Sequence, residues 1–449
     1  MLVSNESRYL GVKFMLLEFM VENYMSFKEP NTFSLIATSD NEMFEEQTIN
    51  FGKKHRALRN AAIFGPNASG KSNLLHAITF VKDFVINSSK DSQQGDPIDS
   101  NPFKFSTVTE NLPSVFELVF VVNGIVYRYG FGVNEKEVVA EWLFARFTTR
   151  ETELFARHYQ KINVGLKFSE GRKHIDFVRN NALFLSVCAQ FNGKISKSVL
   201  EWFRKLNVIS SLNSDYVPTT LKILENQDNE YEVQKHQLIN LIKSVDMGIE
   251  DLSIHEQEVD FDSLFDNIRF RDLKNILEIS KETEEGNDGS KLKAKFTSHV
   301  VKTVHSKYDH KKDFVSQDLY NFGIESSGTH KLFELAGPII DTMYSGGVLF
   351  IDEIQNSLHT KLVSGLIKFI IKTNEKSNAQ FVFTTHDTNI LTKNLLRRDQ
   401  LWFVSKNKYG ESELSCLADF DEHVRKDASI DKDYLRGRYG AIPHITLEG

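Results

Sequence analysis

Gly65-Pro66-Asn67-Ala68-Ser69-Gly70-Lys71-Ser72 follows an apolar, strand-like run, Arg59 to Phe64, and precedes a stretch with apolar residues at Leu74, Leu75, Ile78, Val81 and Phe84. The octet fits G-x-x-x-x-G-K-[ST], and the strand before it and amphipathic helix after it are the context this motif requires. Glycines let such a loop wrap closely, so that backbone N–H groups point inward at phosphate oxygens. The helix that begins near Lys71 adds the positive end of its dipole. Lys71 is expected to reach the β- and γ-phosphates and Ser72 to ligate Mg²⁺. The predicted ligands are therefore ATP and Mg²⁺, held by Gly65, Asn67, Ser69, Gly70, Lys71, Ser72 and Asn73. The bland alternative is a Gly/Ser turn without a ligand.

Further along, Val348-Leu349-Phe350-Ile351 reads as a buried strand that ends in Asp352-Glu353. The carboxyl end of such a strand is where ligands of α/β sheets sit. Asp352 is expected to hold Mg²⁺ through its water shell and Glu353 to act as general base on the attacking water. Alone, an apolar run followed by two acids is more often a solvated strand end; beside a phosphate loop the functional reading is favoured. Upstream, Ser326, Ser327 and Gly328 precede an apolar helix and form a candidate second phosphate-binding surface, although an ordinary helix cap explains the same pattern. His386 follows the strand-like Gln380 to Thr384 and is placed to touch a γ-phosphate, with capping or packing as the alternative. Ser357-Leu358-His359 stands just past the acidic pair.

Composition narrows the class. The 449 residues carry 54 Lys+Arg against 61 Asp+Glu, a net charge of −7, with 41% hydrophobic residues and 35 Phe. That is the composition of a folded protein rather than a disordered one. Mild acidity excludes a protein that coats nucleic acid by bulk charge, while leaving room for local basic patches at Lys53-Lys54-His55-Arg56, Arg397-Arg398 and Arg425-Lys426. Two cysteines, Cys188 and Cys416, cannot build a disulfide framework or a four-thiolate zinc site, which points to a reducing cytoplasm. No apolar run approaches the ~20 residues of a membrane span, and no signal-peptide pattern is present.

The order of these signals resembles the ABC-type ATPase head of the SMC, RecF and OLD class. More closely, GPNASGKSN at 65–73, ESSGTHKLF at 325–333, LFIDEIQNSLH at 349–359, FTTHD at 383–387, RRDQLWFVSK at 397–406 and GRYGAIP at 437–443 resemble the RloA/AbiL-like AAA family ATPases of bacterial abortive-infection, anti-phage systems. The resemblance implies an α/β P-loop NTPase head with an antiparallel β lobe and a helical insertion. It implies that Ser326 and Gly328 match the signature motif, which caps ATP held by the other protomer, so that the working form is a homodimer or higher oligomer. Ser357 to His359 then match the D-loop and His386 the switch histidine. Gln190, after the apolar run Ala182 to Ala189, is the best-placed Q-loop glutamine, a nucleotide and Mg²⁺ ligand. Glu325 and Ser327 depart from the usual Leu-Ser-Gly-Gly signature. A separate nuclease-like effector is the implied partner.

The expected organisation is an N-terminal extension over 1–14, a head lobe with phosphate loop and β lobe over 15–192, a helical insertion over 193–310, and a second head lobe over 311–449. Within the β lobe, Phe116 to Phe120, Asn123-Gly124 and Val126 to Phe131 predict a hairpin. The loop KETEEGNDGS at 281–290 is expected to be mobile. The competing function is a self-contained nuclease or DNA-repair ATPase of OLD type. It needs a glutamate at a strand end and a later Asp-x-Asp for two metals. The strand Leu401 to Val404 ends instead in Ser405-Lys406, and Asp419-Phe420-Asp421 follows too soon to close another domain.

Overall fold

The computed structural model describes residues 14–39, 44–51, 55–210, 216–244, 248–259, 296–374, 377–391, 395–420 and 430–440. They divide into two compact units, one of residues 1–210, 342–355 and 363–449 and the other of residues 211–341 and 356–362. The expected extension at 1–14, apart from Phe14, and the loop at 281–290 lie outside the described residues.

Among the described residues the first unit has two large sheets and a two-stranded one that pairs Thr48–Asn50 with Arg56–Leu58. One has six strands in the order Leu206–Ile209, Val348–Ile351, Gln380–Thr385, Asn60–Phe64, Leu401–Lys406, Ser412–Cys416. The first five run parallel and the last is antiparallel. Val348–Ile351, Gln380–Thr385 and Asn60–Phe64 are buried at every position, which is why they read as unbroken apolar runs rather than alternating ones. The other sheet is antiparallel, with seven strands, and is the predicted β lobe. Its central hairpin pairs Ser114–Val122 with Ile125–Val133 across Asn123-Gly124. Both turn residues have positive φ, 49° and 77°, the geometry that selects an Asn-Gly pair.

The helix Lys71–Asn87 packs into this unit through Leu74, Leu75, Ile78, Val81 and Val85. Phe80 and Phe84 stack on each other and meet Phe116 and Phe131 of the hairpin at tilted angles, so the phosphate-loop helix and the β lobe share one aromatic cluster. Buried Gln380 ties the two sheets together. Its Oε1 accepts from Leu16 N–H at 2.6 Å, and its Nε2 donates to Leu16 O and Leu58 O at 3.0 and 2.9 Å. Glu141 and Arg157, both fully buried, brace the lobe's far end 3.6 Å apart.

The second unit differs from the helical insertion expected at 193–310. Lys194–Arg204 and Leu206–Ile209 belong to the first unit, because Trp202 stacks on Phe120 with ring centroids 4.3 Å apart and Leu206–Ile209 joins the parallel sheet. The second unit contains the helices Val217–Glu225 and Asn229–Lys243 and also a three-stranded antiparallel sheet of Ile249–Val259, Phe296–Tyr308 and Phe314–Asn321. Its strands alternate only weakly and flank a long charged stretch, so no local pattern announces the sheet. Thr220 Oγ1 bonds Phe333 O at 2.7 Å and receives Gly337 N–H at 3.1 Å. A Cβ on Gly337 would stand 2.4 Å from Thr220, so only glycine allows this approach. Among the described residues no helix is long and apolar enough to cross a membrane.

Candidate active site

The loop Gly65 to Gly70 connects the buried strand Asn60–Phe64 to the helix Lys71–Asn87. Ala68 and Gly70 adopt positive φ, 63° and 115°, which turns the chain back over the helix N-terminus. The loop is held from behind. Ser412 Oγ lies 2.6 Å from Ser69 O and 2.8 Å from Ser26 Oγ, and Asn73 Nδ2 donates to Ser26 Oγ at 2.7 Å. A Cβ at Gly70 would meet Ser412 Oγ at 2.3 Å, so the second glycine of the motif is required by packing as well as by φ. Neither Ser26 nor Ser412 carries a sequence signal; only the fold brings them to the loop.

Inside the loop, Lys71 donates its ammonium to Gly65 O at 2.7 Å and Pro66 O at 3.0 Å. Burial holds its pKa below the usual lysine range, partly offset by the Glu353 and Asp352 carboxylates. The Ser69 hydroxyl is buried without a hydrogen-bond partner among the described residues. A buried cation resting on loop carbonyls and a buried hydroxyl lacking a partner are what a polyphosphate oxygen would satisfy. The cradle therefore fits the triphosphate of a nucleotide.

Ser72 donates its hydroxyl to Asp352 Oδ2 at 3.0 Å, joining residues 280 positions apart. Asp352 continues the strand Val348–Ile351, is 4% exposed, and accepts from Thr384 Oγ1 at 2.7 Å on its other oxygen. One hydroxyl and one carboxylate converging at the phosphate loop match the sparse, water-rich coordination of Mg²⁺. Thr384 also receives Glu353 N–H at 2.8 Å and, through its carbonyl, Ile354 N–H at 3.1 Å. Glu353 has φ 49°, an uncommon conformation for a non-glycine residue, and the two bonds to Thr384 hold the backbone there. His386 is exposed at the end of Gln380–Thr385, with Nδ1 3.0 Å from Gln355 Nε2.

The structure thus gathers Lys71, Ser72, Asp352, Glu353 and His386 around one sheet edge. Asn67 is exposed on the loop, and Asn73 faces Ser26. Gln190 is the exposed last residue of the helix Phe184–Gln190, which is tied through Ser186 Oγ to Val85 O near the C-terminal end of the phosphate-loop helix. Among the described residues no hydrogen bond joins Gln190 to Ser72 or Asp352. Arg397 is no nucleic-acid contact: its side chain is fully buried and pairs with Asp399 through Nε–Oδ1 at 2.9 Å and Nη2–Oδ2 at 2.7 Å. Lys53, Lys54, Arg425 and Lys426 lie outside the described residues.

In the second unit, exposed Ser326 caps the helix Ser327–Ser345, its Oγ accepting from Thr329 N–H at 3.1 Å. Exposed Ser327 and half-buried Gly328 follow, and a Cβ on Gly328 would stand 3.3 Å from Ser357 O, so the segments around residues 328 and 357 approach closely. Glu325, the residue that departs from the usual signature, has a structural role. Its Oε1 accepts from Thr303 Oγ1 at 2.6 Å and contacts His305 Nε2 at 2.9 Å, anchoring the segment before the helix to the three-stranded sheet.

The family model described as "AAA domain, putative AbiEii toxin, Type IV TA system" matches residues 61–392, about three quarters of the chain. No curated protein matches the sequence. Solved structures similar to the chain include an SMC head domain from Thermotoga maritima, at 14% identity and a TM-score of 0.38, covering 89% of this chain and 98% of that one. An SmcHead bound to the C-winged helix domain of ScpA has 11% identity and a TM-score of 0.46, with 89% and 97% covered. An Smc head domain with an extended coiled coil, bound to the C-terminal domain of ScpA derived from Pyrococcus furiosus, has 12% identity and a TM-score of 0.39, with 90% and 96% covered.

Proposed function

The chain belongs to this AAA-domain family, and from that premise we propose that it binds and hydrolyses ATP as a nucleotide-dependent dimeric switch. The observation that carries the reading is the 3.0 Å bond between Ser72 and Asp352, which closes the phosphate loop and the acidic strand into one site. Bound Mg-ATP supplies the γ-phosphate and the metal charge that stabilises its transfer. Lys71 exchanges its two loop carbonyls for phosphate oxygens. Ser72 and Asp352 would hold the metal, with Asp352 oriented by Thr384. Glu353 takes the proton of the attacking water, and His386 donates a hydrogen bond toward the γ-phosphate. Gln190 as a further Mg²⁺ ligand finds no support in its position at the far end of the helix.

Ser326, Ser327 and Gly328 are proposed to cap the nucleotide of a second copy, making a homodimer or higher oligomer the working state. The exposure of Ser326 and Ser327 suits this use. The biological setting we favour is the ATPase component of a cytoplasmic abortive-infection, anti-phage system of RloA/AbiL type that controls a separate nuclease-like effector. It is supported by the motif resemblance and by the AbiEii wording of the family description.

Purified protein should release phosphate from ATP only with Mg²⁺ and should leave DNA and tRNA uncut. Glu353→Gln should bind ATP, lose turnover by about 10²–10⁴-fold and accumulate as a dimer in light scattering. Hydrolysis by Glu353→Gln at the wild-type rate would remove Glu353 from the mechanism. Nuclease activity of partner-free protein would replace the switch reading by the OLD-type one. Co-purification with the product of the neighbouring reading frame, with and without ATP, tests the effector.

A further inference from the structure

Two loops leave the sheet side by side at the active site. Val348–Ile351 runs into Asp352-Glu353-Ile354-Gln355, and Gln380–Thr385 runs into His386. The bonds from Glu353 N–H and Ile354 N–H to Thr384 fix one loop against the other. They bring Gln355 Nε2 to 3.0 Å from His386 Nδ1. The His386 ring is otherwise exposed, whereas Gln355 Oε1 is buried and has no hydrogen-bond partner among the described residues.

Which end of the amide faces the ring decides where the ring keeps its proton. With Nε2 toward His386, the amide leaves one buried acceptor unpaired. Turned over, Oε1 would accept from Nδ1–H, but an NH₂ with two donors would occupy the buried position. Orphaned N–H groups are rarer and costlier than under-used carbonyls, so the first arrangement is favoured. Nδ1 is then an acceptor, and the neutral imidazole carries its proton on Nε2.

We infer that Gln355 is a positioning residue that locks His386 in the Nε2–H tautomer, so that an uncharged ring offers a donor to the γ-phosphate of bound ATP. This rests on the reading of His386 as a phosphate contact. The opposite tautomer would turn a lone pair toward phosphate oxygens and repel them. A carboxamide is the side chain this task needs. Glutamate at 355 would accept from Nδ1–H and reverse the ring, and methionine would fill the space without supplying a donor.

The tautomer is read in nucleotide-free protein labelled with nitrogen-15 histidine, the His386 signals being those lost in His386→Asn. Wild type should show an unprotonated Nδ1 and a protonated Nε2, and Gln355→Glu the reverse. A protonated Nδ1 in wild type overturns the inference. Both Gln355→Met and Gln355→Glu should lower kcat by roughly tenfold, the scale of one hydrogen bond made to the reacting group, with KM for ATP within about twofold because Lys71 and Ser72 still hold the phosphates. Wild-type kcat in both variants also overturns it. His386→Ala, measured alongside, separates the two levels. If it turns over ATP at the wild-type rate, the phosphate role of the histidine itself falls. If it is impaired while the Gln355 variants are not, only the part assigned to Gln355 falls.

Discussion

Thr384 donates its hydroxyl to Asp352 Oδ1 at 2.7 Å while Ser72 donates to Oδ2 at 3.0 Å, so a threonine from a neighbouring strand aims the carboxylate that faces the phosphate loop. Because the same hydroxyl receives Glu353 N–H, Thr384 positions both acids at once. Thr384→Val keeps the shape and removes the bonds. It should lower Mg²⁺-dependent turnover by about 10–100-fold, the usual effect of losing a group that orients a metal ligand. Steady-state kinetics over a Mg²⁺ titration checks this; the midpoint should move to higher Mg²⁺.

The phosphate loop depends on Gly70 and Ser412 together. Gly70→Ala forces a side chain to φ 115° and into Ser412 Oγ, and should abolish Mg-ADP binding in calorimetry while destabilising the protein by more than about 1 kcal/mol. Ser412→Ala removes the bonds to Ser69 O and Ser26 Oγ without adding bulk and should leave a folded protein whose affinity for Mg-ADP is weaker by up to about tenfold.

Ser326 has two candidate roles, helix cap and phosphate contact, and one substitution separates them. Aspartate is as good an N-cap as serine, so Ser326→Asp should keep the melting temperature close to wild type. Its negative charge would repel the γ-phosphate of a partner's nucleotide. Introduced into Glu353→Gln, it should therefore prevent ATP-induced dimerisation in light scattering without changing nucleotide affinity of the monomer. A stable ATP-bound dimer of that double variant would end the signature reading.

Glu141 accepts from Phe184 N–H at 2.6 Å, Leu185 N–H at 3.0 Å and Tyr129 OH at 3.0 Å, in addition to facing Arg157. Glu141→Ala leaves the buried guanidinium, which keeps its backbone-carbonyl acceptors, without its counter-charge, and leaves two N–H groups and the Tyr129 hydroxyl without their acceptor. It should cost about 3–5 kcal/mol, measured as a lowered urea midpoint at unchanged slope.

Both cysteines should be silent toward thiol reagents in the native protein. Burial pushes the Cys416 thiol up to about 12 and the Cys188 thiol well above its ordinary value, and the two side chains are 5% and 0% exposed. Thiolate is the reactive form, so Ellman's reagent at pH 8 should titrate no thiol until denaturant is added, and then two.

Much of the candidate site was legible because phosphate chemistry needs particular residue types at fixed spacing. Gly65 to Ser72 between a strand and a helix, and Asp352-Glu353 at the end of an apolar strand, are local patterns that short-range sterics and burial impose. The hairpin at Asn123-Gly124 was legible for the same reason: two successive positive φ values demand that dipeptide. Arg397 shows the converse. A basic pair in sequence looks like a surface patch, and nothing local announces that Asp399 two residues later buries it.

By itself, then, the sequence determined the nucleotide loop, the acidic strand end and the α/β class, since each follows from periodicity, φ requirements and phosphate geometry over a few residues. Tertiary structure alone decided which side chains aim them. Ser26 and Ser412 behind the loop, Thr384 on Asp352, Gln355 on His386 and Thr303 with His305 on Glu325 are all contacts made through chain folding. Serine, threonine and glutamine occur everywhere on protein chains. Only burial and a hydrogen bond of the right length turn one of them into part of a site, and neither exists until the strands are assembled.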